Sequence, residues 1–204
     1  LNDRLTTYKT KGFLPADEAA ALYRMACKQA LKGPILEIGS FCGKSAVFLG
    51  EAAKASGQPV FTVDHHRGSE EHQQGEAYFD ADHWDDAQGC VDTLPALRKT
   101  LALFELEDVI IPIVTRSERL AQCWQLPLAM VFVDGGHSAW QANEDCMRWV
   151  KHLMSGGILA IHDIFEHPED GGQAPFKAMQ LVKSAFNLEQ VDRVGSLVFL
   201  KVAD

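Results

Sequence analysis

The chain has 204 residues, 47% of them hydrophobic, a length and composition that suit one ordinary α/β domain with a sizeable core and exclude a disordered polymer. Its 28 acidic and 19 basic side chains give a formal net charge of −9, which argues against a nucleic-acid backbone as partner and for a small-molecule substrate. No stretch approaches the roughly 18 uninterrupted apolar residues of a membrane span, and the opening LNDRLTTYKTKGF lacks a signal peptide's apolar centre, so a soluble, cytoplasmic protein is expected.

Residues 1–13 are mixed and polar. Pro15, followed by Asp17 and Glu18, then marks a helix start with acids in the first turn. Ala20, Leu22, Tyr23, Met25, Ala26, Ala30 and Leu31 recur at helical spacing up to Gly33-Pro34, giving an N-terminal helical segment over residues 1–33. In ILEIGSFCGKSAVFL, Ile35, Leu36 and Ile38 form a short strand with Glu37 inside it. Gly39, Ser40 and Gly43 turn the chain into a helix running to about Ala55. The two glycines remove Cβ atoms that would hold a ligand off the backbone, and the free N–H groups of the new helix face the same spot. A tight turn that binds nothing uses the same residues.

VFTVDHH is a second buried strand ending at Asp64. A helical crossover sets its end beside that of strand one, where open α/β sheets bind ligands. A carboxylate there can accept both hydroxyls of a ribose, or cap the following turn. Residues 65–92 are polar and hold four of the eight histidines, His65, His66, His72 and His83. The segment is too long for a plain turn and reads as an inserted lid or substrate loop. Its histidines and Asp80, Asp82, Asp85 and Asp86 show no recognised metal-ligand spacing, while Tyr78, Phe79 and Trp84 suggest that part of it packs down. The five cysteines stand singly, without C-x-x-C pairs, so neither a disulfide framework nor a zinc knuckle is indicated.

A helix with Pro95 in its first turn covers Ala96 to Phe104, and VIIPIVTRS follows as a third strand whose Pro112 favours an edge. Ser117 then stands where it can N-cap ERLAQCW. Met130, Val131, Phe132 and Val133 deliver Asp134 to the same sheet edge; Gly135-Gly136 turn the chain, and Ser138 with Gln141 fits a capping box opening a helix to Met154. After Gly156-Gly157, ILAI delivers His162 and Asp163. An amphipathic helix and a terminal β-hairpin about Gly195-Ser196 complete the chain.

Three motifs occur in order: E-I-G-S-F-C-G-K-S, D-G-x-H-S with the internal acid Asp145, and L-x-x-G-G-x-x-x-x-H-D. Together they resemble the class I S-adenosylmethionine-dependent methyltransferases, in particular the family grouped with macrocin and rhamnosyl O-methyltransferases, and more distantly the catechol and caffeoyl-CoA O-methyltransferases. The likeness covers residues 16–201, apart from the 65–92 insert. It implies one Rossmann-like methyltransferase domain over residues 1–204, with a doubly wound, mostly parallel seven-stranded sheet in the order 3-2-1-4-5-7-6. The implied S-adenosylmethionine site comprises Glu37, Gly39, Ser40, Gly43, Ser45, Asp64, His65, Ser117 and Asp134.

In metal-dependent relatives a divalent cation sits at the positions of Asp134, His162 and Asp163. His162 departs from their Asp or Asn, and imidazole suits zinc, iron or nickel better than magnesium, so a different metal or none is expected. Without a metal, Asp134 caps its turn and His162-Asp163 form a hydrogen-bonded pair. Histidine suits proton removal near neutral pH, which makes His137 the candidate general base for O-methylation of a small-molecule acceptor. A homodimer is also implied. Two other classes stay open: a nicotinamide-dependent oxidoreductase, although the G-x-G-x-x-G pattern is absent, and a non-catalytic cofactor-binding protein.

Overall fold

The computed structural model describes residues 10–69, 73–76, 79–136 and 138–203. Their elements run α1 (Ala16–Gln29), β1 (Ile35–Ile38), α2 (Lys44–Lys54), β2 (Val60–Asp64), β3 (Trp84–Asp85), β4 (Cys90–Val91), α3 (Leu94–Phe104), β5 (Ile110–Val114), α4 (Ser117–Ala121) and β6 (Leu128–Val133). After them come α5 (Ala139–Trp149), β7 (Leu153–Ile161), α6 (Ala174–Phe186), β8 (Glu189–Val194) and β9 (Leu197–Lys201).

One seven-stranded sheet has the order β5-β2-β1-β6-β7-β9-β8, while β3 and β4 pair separately as a hairpin inside the insert. The first five strands are parallel; β9 runs antiparallel to β7, and β8 antiparallel to β9. Counting the strands of the large sheet alone, this is 3-2-1-4-5-7-6, the doubly wound α/β arrangement expected from the sequence.

The central strands are apolar throughout because helices cover both of their faces. Side chains alternate across the sheet, so Ile35, Met130, Phe132 and Ile158 join a core with α1, α2 and α3. Leu36, Val131, Val133 and Leu159 join a second core with α5 and α6. Each fully buried large side chain contributes about 1.5–3 kcal/mol over the exposed state. Pro112 lies in β5, the outermost parallel strand, where its missing N–H costs no ladder bond on the open side. No helix among the described residues is long and apolar enough to cross a membrane.

Two local expectations are corrected. The helix expected to reach Met154 ends at Trp149, a 3-10 turn over Val150–His152 follows, and the chain is already extended at Leu153. Gly156 and Gly157 therefore lie within β7. Gly156 has φ +68°, and the β6–β7 register shifts between Leu128 and Met130, so the glycine pair bends a strand instead of separating a helix from one. Ser117 is the first residue of α4, whose N-cap is Arg116, so its hydroxyl is free to bond elsewhere.

Candidate functional site

The sheet reverses its winding at β1, which lies between β2 and β6. The turn leaving β1 is held at its neighbours: Gly39 N–H donates to Val63 O at 3.0 Å, and Asp134 N–H donates to Ile38 O at 2.9 Å. Gly39 has φ +87° and Gly43 φ +90°. A Cβ at Gly39 would collide with the Asp134 carbonyl oxygen, and one at Gly43 would lie 2.8 Å from Leu97 Cδ1. These glycines thus let β6 and α3 close onto the turn.

A cavity of about 250 Å³ opens over this turn. Among the expected cofactor residues, Gly39, Ser40, Ser45, Asp64, His65, Ser117 and Asp134 line it; Glu37 and Gly43 do not. Asp64 accepts from Phe41 N–H at 3.0 Å and from His66 N–H at 2.7 Å, so it fixes the glycine turn and its own following turn while facing the cavity. Ser40 is buried and its Oγ has no partner among the described residues.

Glu37 lies beneath the cavity with no exposed surface. Thr62 Oγ1 donates to its Oε2 at 2.5 Å, and the Ser45 hydroxyl beside it also favours the charged form. Burial raises its carboxyl to about 7 despite both hydroxyls. Ser117 Oγ donates to the buried Asp145, whose carboxyl burial likewise raises to about 7. The internal acid of the second motif therefore acts on the cavity through Ser117, which lines it.

On the far side of Asp134 the end of β7 brings up His162 and Asp163. His162 is 4% exposed. Its Nδ1 is 3.0 Å from Asp134 Oδ1 and 3.4 Å from Asp163 Oδ2, and its Nε2 is 2.6 Å from Glu18 Oε2. Burial alone would lower the imidazole's pKa, but the Asp134 charge, with the bonds to Asp134 and Asp163, raises it to about 11. In the metal-free protein the ring then carries both protons, one toward each side, and a metal ion at Nδ1 would have to displace the inner one. Asp134, His162 and Asp163 offer ligand atoms within 4.8 Å of one another, the one such group of three among the described residues. His137 lies outside the described residues, as do His72 and Tyr78 of the insert.

The described part of the insert packs down, as its aromatics suggested. Phe79 and Trp84 meet edge to face at 5.7 Å, and the His83 ring stands over Phe41 at 5.7 Å with its Nε2 3.0 Å from Cys42 Sγ. Burial pushes the Cys42 thiol up to about 12, so it is protonated. Lys11 bridges Asp80 at 2.6 Å and Asp82 at 2.7 Å, and Lys44 Nζ donates to Gly12 O at 3.2 Å. These contacts lay residues 11–14 along the cavity wall.

Sequence reasoning gave no site role to this strap or to Glu18. For the strap no local signal exists. For Glu18 one did: it precedes Leu22 and Ala26 by four and eight residues, on the stripe that α1 buries, and an acid on a buried stripe requires a partner.

Residues 36–164 match the model of a family described as methyltransferase domain. Among the solved structures that share the fold are three O-methyltransferases. The O-methyltransferase TomG from Streptomyces achromogenes, in complex with SAM, is 15% identical with a TM-score of 0.65, over 99% of this chain and 87% of that one. An O-methyltransferase from Bacillus cereus, in complex with SAH, is 14% identical with a TM-score of 0.61, over 98% of this chain and 87% of that one. The O-methyltransferase NovP is 12% identical with a TM-score of 0.69, over 92% of this chain and 80% of that one.

Proposed function

Because the chain belongs to the methyltransferase domain family, we propose that it transfers a methyl group from S-adenosylmethionine to a hydroxyl oxygen of a small molecule. The observation that carries this reading is the convergence of Gly39, Asp64 and Asp134, from three adjacent strand ends, on one cavity. Two features suit the cofactor: the Asp64 carboxylate can take a pair of ribose hydroxyls, and the unpartnered Ser40 Oγ lacks a bond that a ligand would supply. The family membership and the missing G-x-G-x-x-G pattern set the nicotinamide reading aside.

Bound there, the cofactor supplies a methyl group on an already activated sulfonium. The protein's own tasks are to align the acceptor in line and to remove its proton. A second cleft, lined by Phe13, Asp163, Phe165, His167 and Arg193, shares Phe13 and Asp163 with the cofactor cavity, and we assign the acceptor to that side. His137, which follows the cavity-lining Gly136, is our candidate general base.

Asp134, His162 and Asp163 also fit a divalent metal ion. Their donors converge, His162 directs Nδ1 toward both acids, and one nitrogen with two oxygens suits a first-row transition ion or zinc better than magnesium. Such an ion would lower the pKa of the acceptor hydroxyl.

Calorimetric titration with S-adenosylmethionine and with NADH, followed by methyl-transfer assays over a panel of hydroxylated acceptors, tests the reading. Binding of S-adenosylmethionine alone, with product formed, is expected. His137→Ala should lower turnover and leave cofactor binding intact, and unchanged turnover would remove His137 from the mechanism. Cofactor binding without transfer to any acceptor would favour a non-catalytic protein, and failure to bind S-adenosylmethionine would refute the proposal.

A further inference from the structure

Glu18 belongs to the first turn of α1, far in sequence from the strand ends, and is 3% exposed. Both of its oxygens are committed. Oε1 accepts from Ser196 N–H at 2.6 Å and from Ser196 Oγ at 3.0 Å, in the turn between β8 and β9. Oε2 lies 2.6 Å from His162 Nε2. Gly195, at φ +57°, leaves the space that Oε1 fills, since a Cβ there would collide with it.

A simple tie between α1 and the hairpin would need only the Ser196 bonds, and an apolar residue on this buried stripe would avoid the cost of desolvating a carboxylate. What remains to be explained is the second oxygen. It meets the outer nitrogen of a ring whose inner nitrogen faces Asp134 and Asp163. Metal-bound histidines characteristically donate their other ring N–H to a carboxylate, which fixes the tautomer and strengthens the ligand. Three carboxylates around one imidazole also form a group whose charge a divalent cation would balance.

We propose that Glu18 is the positioning residue of a metal site: it takes the Nε2–H of His162 and so presents Nδ1, between Asp134 and Asp163, as a ligand. This rests on the metal reading given above and extends it to a residue from another part of the chain. Glu18 does not touch the ion. It sets the orientation and basicity of the side chain that does.

The test is calorimetric titration of Mn²⁺ and Zn²⁺ into the wild type, Glu18→Gln and Ser196→Ala, with SAH titrated separately in EDTA. Glu18→Gln keeps the shape and an acceptor for Ser196 but loses the charge that holds the ring proton. We expect it to weaken metal binding on the order of ten-fold or more, the range for lost outer partners. Ser196→Ala removes one of the two donors to Glu18 Oε1 and should weaken metal binding by roughly two-fold to three-fold, a smaller loss from the same cause. SAH affinity in EDTA should be unchanged in both. Wild-type metal affinity in Glu18→Gln would overturn the proposal, as would equal losses of metal and SAH affinity, which mark a general structural role. If Glu18→Gln does not fold, the Ser196→Ala result decides by the same criteria. A wild type that binds neither metal at millimolar concentration also overturns it, while methyl transfer in EDTA would show that the methyltransferase reading survives.

Discussion

Replacing Glu37 by Gln should make the protein less sensitive to alkali, by an amount the structure sets. The carboxyl is wholly buried in β1, with Thr62 bonding it, Ser45 beside it and Oε1 without a partner among the described residues. Burial, with smaller contributions from the Asp134 and Asp64 charges, raises its pKa from 4.5 to about 7. Between those two values the folded chain holds a proton that the unfolded chain has released. Stability from this group is therefore fully present below 4.5, falls as pH rises through the window, and is level above about 7. At ~1.36 kcal/mol per pH unit, the fall is about 3 kcal/mol. Gln cannot ionise, so its stability relative to wild type should improve by about that much between pH 4.5 and pH 8. The amide must find new partners beside Thr62 and Ser45, which adds a penalty without pH dependence. Asp145 and His162 titrate in both proteins and cancel in the difference. Urea unfolding of both proteins at several pH values measures it, and a difference that stays constant across the range would refute the assignment of a raised pKa to Glu37.

Gly39→Ala forces a side chain into left-handed backbone and against the Asp134 carbonyl. The backbone strain alone costs about 1–2 kcal/mol, so both melting temperature and SAH affinity should fall; wild-type SAH affinity would show that the close approach does not shape the cavity. Ser40→Ala removes a hydroxyl that bonds nothing in the described protein. Melting should be unchanged and SAH binding weakened by about 1 kcal/mol, whereas unaltered binding would place the hydroxyl outside the ligand's reach. Phe132→Ala empties a fully buried site in the core shared with α1 and α2, and denaturant unfolding should register a loss of about 3–5 kcal/mol. A loss under 1 kcal/mol would mean that the core collapses into the space.

The sheet was legible because its information is local. Short apolar runs, closed by glycine or by strand-end acids and histidine, mark the parallel strands and Pro112 marks an edge, while the order of the strands came from the family resemblance. The cavity-lining Ser40, Asp64 and Asp134 follow from that register alone. What could not be read depends on contacts between distant segments. The close approach of β6 to Gly39 shows only in the fold, and Glu37 looks cofactor-facing until β2 supplies Thr62. Glu18 meets residues 144 and 178 positions away. Gly156-Gly157 misled because two glycines break a helix and bend a strand with equal ease.

β9 has a consequence for biosynthesis. It slots between β7 and β8, and Leu197, Val198, Phe199 and Leu200 are all buried there. A nascent chain that has emerged only through Asp163 holds Asp134, His162 and Asp163 but has neither the antiparallel neighbour of β7 nor Ser196 to grip Glu18. The crevice is thus among the last parts of the molecule to mature, completed only when a late-synthesised hairpin reaches back to an early helix. A polypeptide halted before residue 196 would leave Glu18 without its Ser196 donors and display an open sheet margin, the kind of exposed edge that invites aggregation.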